Sequence, residues 1–108
     1  METTRLIAEF ITATRYEDIP EEVGKVAKQA FLDCVGVALA GSVSEPGRII
    51  IELVRENGGQ PKAAVIGGGF RTSAMLAALA NGTSAHALDY DDSHSSVHGH
   101  PTVFLMPV

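Results

Sequence analysis

The chain has no tryptophan, a single cysteine, and only 8 lysines and arginines against 13 aspartates and glutamates in 108 residues. Each shortage removes a class of function. One cysteine, Cys34, cannot close an intrachain disulfide and cannot by itself build a thiolate metal site. Its setting, FLDCVGVALAG, is aliphatic, so it reads as a small buried hydrophobe and not as a nucleophile. A formal net charge of -5 supplies no basic field, so neither nucleic acid nor an anionic membrane surface is expected as a partner. Long apolar runs are missing too. The opening METTRLIAEF carries acidic residues, which makes it neither a signal peptide nor a membrane span, and the expected compartment is the cytoplasm. With 45% hydrophobic and 19% charged residues the chain is expected to fold around one core.

What the chain does have is helix punctuation. Leu6, Ile7, Phe10 and Ile11 lie on one face of a helix expected over 3–14, entered through Thr3 or Thr4 as N-cap. Pro20 ends that segment and opens the next, where Glu21 and Glu22 suit a helix N-terminus. From Glu21 to Ala40 the apolar residues Val23, Val26, Ala27, Ala30, Phe31, Cys34, Val37 and Ala38 recur at three and four, with Gly41 as C-cap. The second half is apolar nearly all round, which predicts burial within a bundle, and its lone charge, Asp33, is expected to be solvated or hydrogen-bonded. A third helix runs from Ser44 as cap, through Pro46 in the first turn, to the stop NGG, with Ile49, Ile50, Leu53 and Val54 as its apolar face.

KAAVIGGG then predicts a short strand near 62–66 ending in a turn; GGGF lacks the spacing of a phosphate-binding loop. From Thr72 or Ser73 the small residues of TSAMLAALANGTSAHALDYDD predict a closely packed central helix. Asn81-Gly82 lacks the period-two flanks of a hairpin. The fold class is therefore mainly α, a helical bundle with at most one short strand-like segment. The final HPTVFLMPV stops inside an apolar run with no polar cap, so the chain is expected to be a fragment of a longer protein.

Residues 81–101, NGTSAHALDYDDSHSSVHGHP, hold all four histidines and three aspartates. If the central helix ran through Tyr90, His86 and Asp89 would share a face, with Ser93 a turn further on. Aspartate beside histidine suits proton transfer, because the carboxylate fixes the imidazole tautomer and raises its basicity. A divalent ion on His94, His98 and His100, with upstream aspartates as further ligands, is the alternative chemistry, but H-x3-H-x-H departs from the usual helical ligand pairs. A plain polar surface loop is another alternative. Nucleophilic hydrolysis is disfavoured, since no serine sits in a G-x-S-x-G elbow.

RYEDIPEEVGKVAKQAFLDCVGVALAGS, followed by NGTSAHALDYDDSHSSVHGHPTVFLMPV, resembles the N-terminal part of the MmgE/PrpD family. That family includes 2-methylcitrate dehydratase, cis-aconitate decarboxylase and iminodisuccinate epimerase. The resemblance implies a helical domain interrupted in sequence by a smaller α/β domain, an active site between the two, and a homodimer formed through the helical domain. Residues 1–108 would be the first portion of the helical domain, without its later helices and the α/β domain. Asp89, Ser93 and His100 match active-site positions of the decarboxylase-type members, where threonine usually stands in place of Ser93; His86, Asp91 and Asp92 belong to the same string. The segment between Asp92 and His100 is about one residue longer than in those members, so pairing His100 rather than His98 with the family histidine rests on Pro101.

The expected roles are accordingly catalytic for His100 and Asp89, and substrate-binding for Ser93, His86, Asp92 and His98. Neither metal nor organic cofactor is implied. The substrate class is small di- or tricarboxylates, and the reaction is a dehydration, a decarboxylation or an epimerisation, with the isolated fragment expected to be inactive. The competing expectation is a non-catalytic helical piece that acts in assembly, or a decayed remnant.

Overall fold

The computed structural model describes residues 2–107; Met1 and Val108, the ends of the expected span 1–108, lie outside the described residues. Among the described residues the chain forms five α-helices, a 3-10 turn at Tyr16–Asp18 and one two-stranded hairpin: α1 (Glu2–Ala13), α2 (Glu21–Ser42), α3 (Glu45–Asn57), β1 (Ala63–Ala64), β2 (Arg71–Thr72), α4 (Ala74–His86) and α5 (Pro101–Leu105). The mainly α class predicted from periodicity is what forms. No single helix among them is long and apolar enough to cross a membrane.

Local chemistry fixes most of the boundaries. Pro20 precedes α2, and Ser44 caps α3 by accepting the Gly47 N–H at 3.2 Å, with Pro46 in the first turn. Gly58, at φ 65°, ends α3, its N–H reaching back to the carbonyls of Val54 and Arg55. Ser73 caps α4 through the Leu76 N–H. The boundaries of α1 and α2 differ from expectation. The first helix begins at Glu2, so Thr3 and Thr4 lie inside it and not at its cap. The second runs on to Ser42, with Val43 at the C-cap, so Gly41 is a helix residue.

Gly41 has a different use. It is buried where α2 crosses α4, and a Cβ built on it would lie 1.9 Å from the Ser84 carbonyl oxygen. Gly47 of α3 meets the same corner, since its Cβ would lie 2.1 Å from the carbonyl oxygen of Gly41. Three helix backbones therefore converge without intervening side chains. The small residues of α4 allow this, and it is the central helix, packed against α2, α3, α5 and the hairpin.

The core has two lobes on either side of α4. Ile51, Val54, Val65, Ala77 and Ala80 fill the lobe toward α3 and the hairpin. Cys34, Ala38, Ala85 and Val103 fill the lobe toward α2 and α5. Burial follows a narrower stripe than the sequence suggested. On α3 it is Gly47, Ile51 and Val54 that are buried, while Ile49 and Leu53 are exposed. On α2, Phe31, Leu32 and Leu39 are exposed, and α1 buries no residue, leaving Leu6, Ile7, Phe10 and Ile11 open.

The predicted strand-like segment is one arm of an antiparallel hairpin that pairs Ala63 with Thr72 and Ala64 with Arg71. Its second arm gave no sequence signal, being two residues long. Gly67 and Gly69 take positive φ in the turn between the arms. Asn81 of α4 holds the hairpin down: its Oδ1 accepts the Ile66 N–H at 2.8 Å and its Nδ2 donates to the Ala64 carbonyl at 3.1 Å.

Candidate active site

The central helix ends at His86, four residues short of Tyr90, so Asp89 and Ser93 do not follow His86 along a helix face. The chain turns instead. The Asp89 N–H donates to the His86 carbonyl at 3.0 Å, and Asp89 itself adopts φ 53°, a left-handed conformation that aspartate tolerates better than most residues. That turn folds the acidic string back on the helix terminus. Asp91, which the sequence reading placed only in the string and gave no role, goes to the centre.

The Asp91 carboxylate is 1% exposed and accepts from both histidines that face it. His86 Nδ1 lies 3.0 Å from Oδ1 and 3.0 Å from Oδ2. His100 Nδ1 lies 3.3 Å from Oδ2 and also 3.3 Å from the main-chain oxygen of Asp91. The two imidazoles meet edge to face with centroids 4.7 Å apart. On its far side His100 presents Nε2 to Asp89 Oδ1 at 3.7 Å. A string of two carboxylates and two imidazoles thus runs from a buried aspartate to an exposed one.

The other expected residues separate from this group. Asp92 points away: its Oδ1 accepts the Thr102 N–H at 3.1 Å and its Oδ2 accepts the Thr102 hydroxyl at 2.6 Å. It thereby caps α5, whose N-cap position, His100, makes no side-chain cap bond. Ser93 and His98 are exposed on the connecting loop, which closes on itself through the His94 N–H donating to the Gly99 carbonyl at 3.0 Å. His98 sits at φ 48° in that loop. The structure therefore brings together His86, Asp89 and His100, adds Asp91, and leaves Ser93, Asp92 and His98 outside the contact group. No residue type or spacing in the sequence sets Asp91 apart from its neighbours Asp89 and Asp92, because its role comes from burial.

A pocket of about 550 Å³ opens beside the two imidazoles. Gly82, Thr83, His86, Gly99, His100 and Phe104 are among its walls, and among the described residues no lysine or arginine lines it. Beneath lies Cys34 on α2. Burial pushes its thiol pKa up, and the carboxylates of Asp92, Asp91 and Asp33 push in the same direction. A thiol so placed stays protonated and inert, as its aliphatic surroundings predicted.

The ligand atoms of His86, Asp89, Asp91 and His100 all lie within 4.8 Å of one another, a donor set of a kind that divalent ions accept. This set shares His100 and upstream aspartates with the expected alternative, adds His86, and leaves out His94 and His98. The main-chain oxygen of Asp91 accepts only, so the His100 Nδ1 beside it carries hydrogen. A metal-bound histidine donates through its second ring nitrogen in the same way, so Nε2 is the atom of His100 open to a proton or an ion.

Comparison with known proteins identifies a family. Residues 5–108 match the family profile of the MmgE/PrpD N-terminal domain. A cis-aconitate decarboxylase-like protein of Aspergillus oryzae (strain ATCC 42149 / RIB 40) is 28% identical over 104 residues, covering 96% of this chain and 22% of that protein. The chain thus spans about a fifth of the length of that curated relative. No solved structure matches it.

Proposed function

The chain belongs to the MmgE/PrpD family through its N-terminal domain, and we propose that it supplies the proton-transfer side of a lyase or isomerase site for small di- or tricarboxylates. The observation that carries this reading is the Asp91–His100–Asp89 string at the edge of an open pocket. His100 presents Nε2 outward, with an acidic partner behind it and another beside it. An imidazole so held accepts a proton from a carbon next to a carboxylate, and the Asp89 carboxylate balances the imidazolium that forms.

Each candidate reaction moves a proton to or from such a carbon. In a dehydration the proton leaves one carbon and hydroxide leaves its neighbour. In a decarboxylation carbon dioxide departs, its bonding electrons stay on carbon, and the imidazolium returns a proton there. In an epimerisation a proton is removed from one face and restored to the other. The name of the fungal relative favours the decarboxylation of a cis-unsaturated tricarboxylate. Ser93, exposed and with no side-chain hydrogen bond among the described residues, has its hydroxyl free for a substrate carboxylate.

A polyanionic substrate needs cations that this pocket lacks. In this reading they come from residues beyond the 22% of the relative's length that the chain matches, or from a second copy. The exposed apolar residues of α1 and of α2, among them Phe10, Ile11, Phe31 and Leu32, support a homodimer or a further helical layer over those helices. The same faces favour the second reading, a helical piece that serves assembly alone. Turnover decides between them. The chain in its full-length context is offered 2-methylcitrate, cis-aconitate and related acids, with product formation and solvent-deuterium incorporation followed by NMR. Deuterium entering next to a carboxylate supports the proposal, and no exchange with any acid in the panel supports the assembly reading.

A further inference from the structure

We infer that Asp91 is the positioning residue of this site, holding His86 and His100 in the Nδ1–H tautomer so that both Nε2 lone pairs are left for proton transfer. Three observations carry it. The Asp91 carboxylate is the only one of the group that is buried, 1% exposed against 79% for Asp89, so its contacts are shielded from water. As a carboxylate it has no hydrogen to give, and His86 Nδ1 lies 3.0 Å from both of its oxygens, so that nitrogen is the donor. For His100 the assignment does not depend on the carboxylate's charge, because Nδ1 also meets the Asp91 main-chain oxygen at 3.3 Å, and a carbonyl only accepts. The remaining nitrogen of His100 then faces Asp89 Oδ1 at 3.7 Å, placed to become a donor once protonated.

One buried residue therefore sets the tautomer of two histidines, through its side chain for His86 and through side chain and backbone together for His100. The backbone share has a consequence for substitution. Asp91→Asn removes the acceptor-only carboxylate and leaves the carbonyl, so His86 should lose its fixed tautomer while His100 keeps much of its own. His94 is an internal contrast: its Nδ1 accepts the Ser96 N–H at 3.2 Å, which assigns the opposite, Nε2–H tautomer.

This inference rests on the reading of His100 as the proton-transfer residue, but its test needs no substrate. Long-range proton–nitrogen correlation spectra of the nitrogen-15-labelled chain, recorded above the imidazole titration range, report which ring nitrogen carries hydrogen. The expected result is Nδ1–H for His86 and His100 and Nε2–H for His94. In Asp91→Asn the Nδ1–H population of His86 should fall toward the Nε2–H form that an unconstrained histidine prefers. Wild-type spectra with His86 and His100 in the Nε2–H form overturn the proposal, and that measurement stands even if the variant fails to fold. A folded Asp91→Asn chain with His86 unchanged overturns it as well. Failure of turnover with the tautomers as expected would sink the proposed reaction and leave the positioning role intact.

Discussion

The Ser84 carbonyl oxygen and the Gly41 Cα meet so closely that a Cβ on Gly41 would fall 1.9 Å from that oxygen, while one on Gly36, five residues earlier in α2, would meet nothing within 4 Å. The two glycines should respond oppositely to the same change. Gly41→Ala must push α2 away from α4 and is expected to destabilise by about 1–3 kcal/mol, the usual cost of overpacking. Gly36→Ala, in an exposed helix interior, should stabilise by about 0.5–1 kcal/mol. Denaturant midpoints of the two variants check this, and equal shifts would refute the close crossing.

Asn81 gives a second prediction, because both ends of its amide are committed to the hairpin. Asn81→Ala leaves the Ile66 N–H and the Ala64 carbonyl without that partner. The expected loss is about 1–3 kcal/mol. Hydrogen exchange should locate it: the Ile66 amide is expected to exchange faster in the variant, with amides of α2 little changed.

In a full-length protein His100→Gln should lower turnover by about two to four orders of magnitude, the common worth of a general acid or base. His98→Gln should leave turnover near the wild-type level, since His98 lies exposed on the loop away from Asp91. Ser93→Ala should act mainly on substrate binding, by about 0.5–3 kcal/mol depending on the charge and burial of the carboxylate it meets. Loss of turnover in His98→Gln alone would shift the alignment by two residues and give His98 the role.

The raised Cys34 pKa sets a direction for alkaline stability. The folded chain keeps the thiol proton more tightly than the unfolded chain does. Its contribution is therefore complete below the ordinary thiol range, near pH 8.5, and is lost as pH rises through the folded value. Denaturation curves at about pH 7 and about pH 9.5 should show lower stability at the higher pH, and Cys34→Ala should reduce that difference. Alkylation of the native chain should be slow and governed by unfolding. Rapid labelling at neutral pH would contradict the inert thiol.

The parts of the fold legible in the sequence are those made by neighbours in the chain. Ser44, Pro46 and Gly58 bound α3, and Ser73 caps α4, because capping is chemistry within four residues. What periodicity could not give is which side of an apolar helix meets a partner. Ile49 and Leu53 are as apolar as Ile51, yet only Ile51 turns toward α4 and the hairpin. Gly41 has the composition of a helix stop, and only the position of Ser84 makes it a crossing point.

The site divides in the same way. His86, Asp89 and His100 could be picked out by residue type and by the family string. Asp91 could not, because its importance comes from burial and from two imidazoles brought together by the end of α4 and the start of α5. Asp92 shows the converse. It stands in the same string with the same carboxylate, and its next contact is the first free N–H of a short helix.

The left-handed backbone at Asp89 bears on how this protein can change. Glycine would occupy φ 53° with less strain, so selection for thermostability alone would draw position 89 toward glycine. A chain that keeps aspartate there retains a less favourable backbone in exchange for a carboxylate 3.7 Å from His100 Nε2. In the proposed reading, a glycine gained at position 89 under selection for heat resistance would relieve that strain and remove the carboxylate beside His100, so stability and turnover should move in opposite directions there.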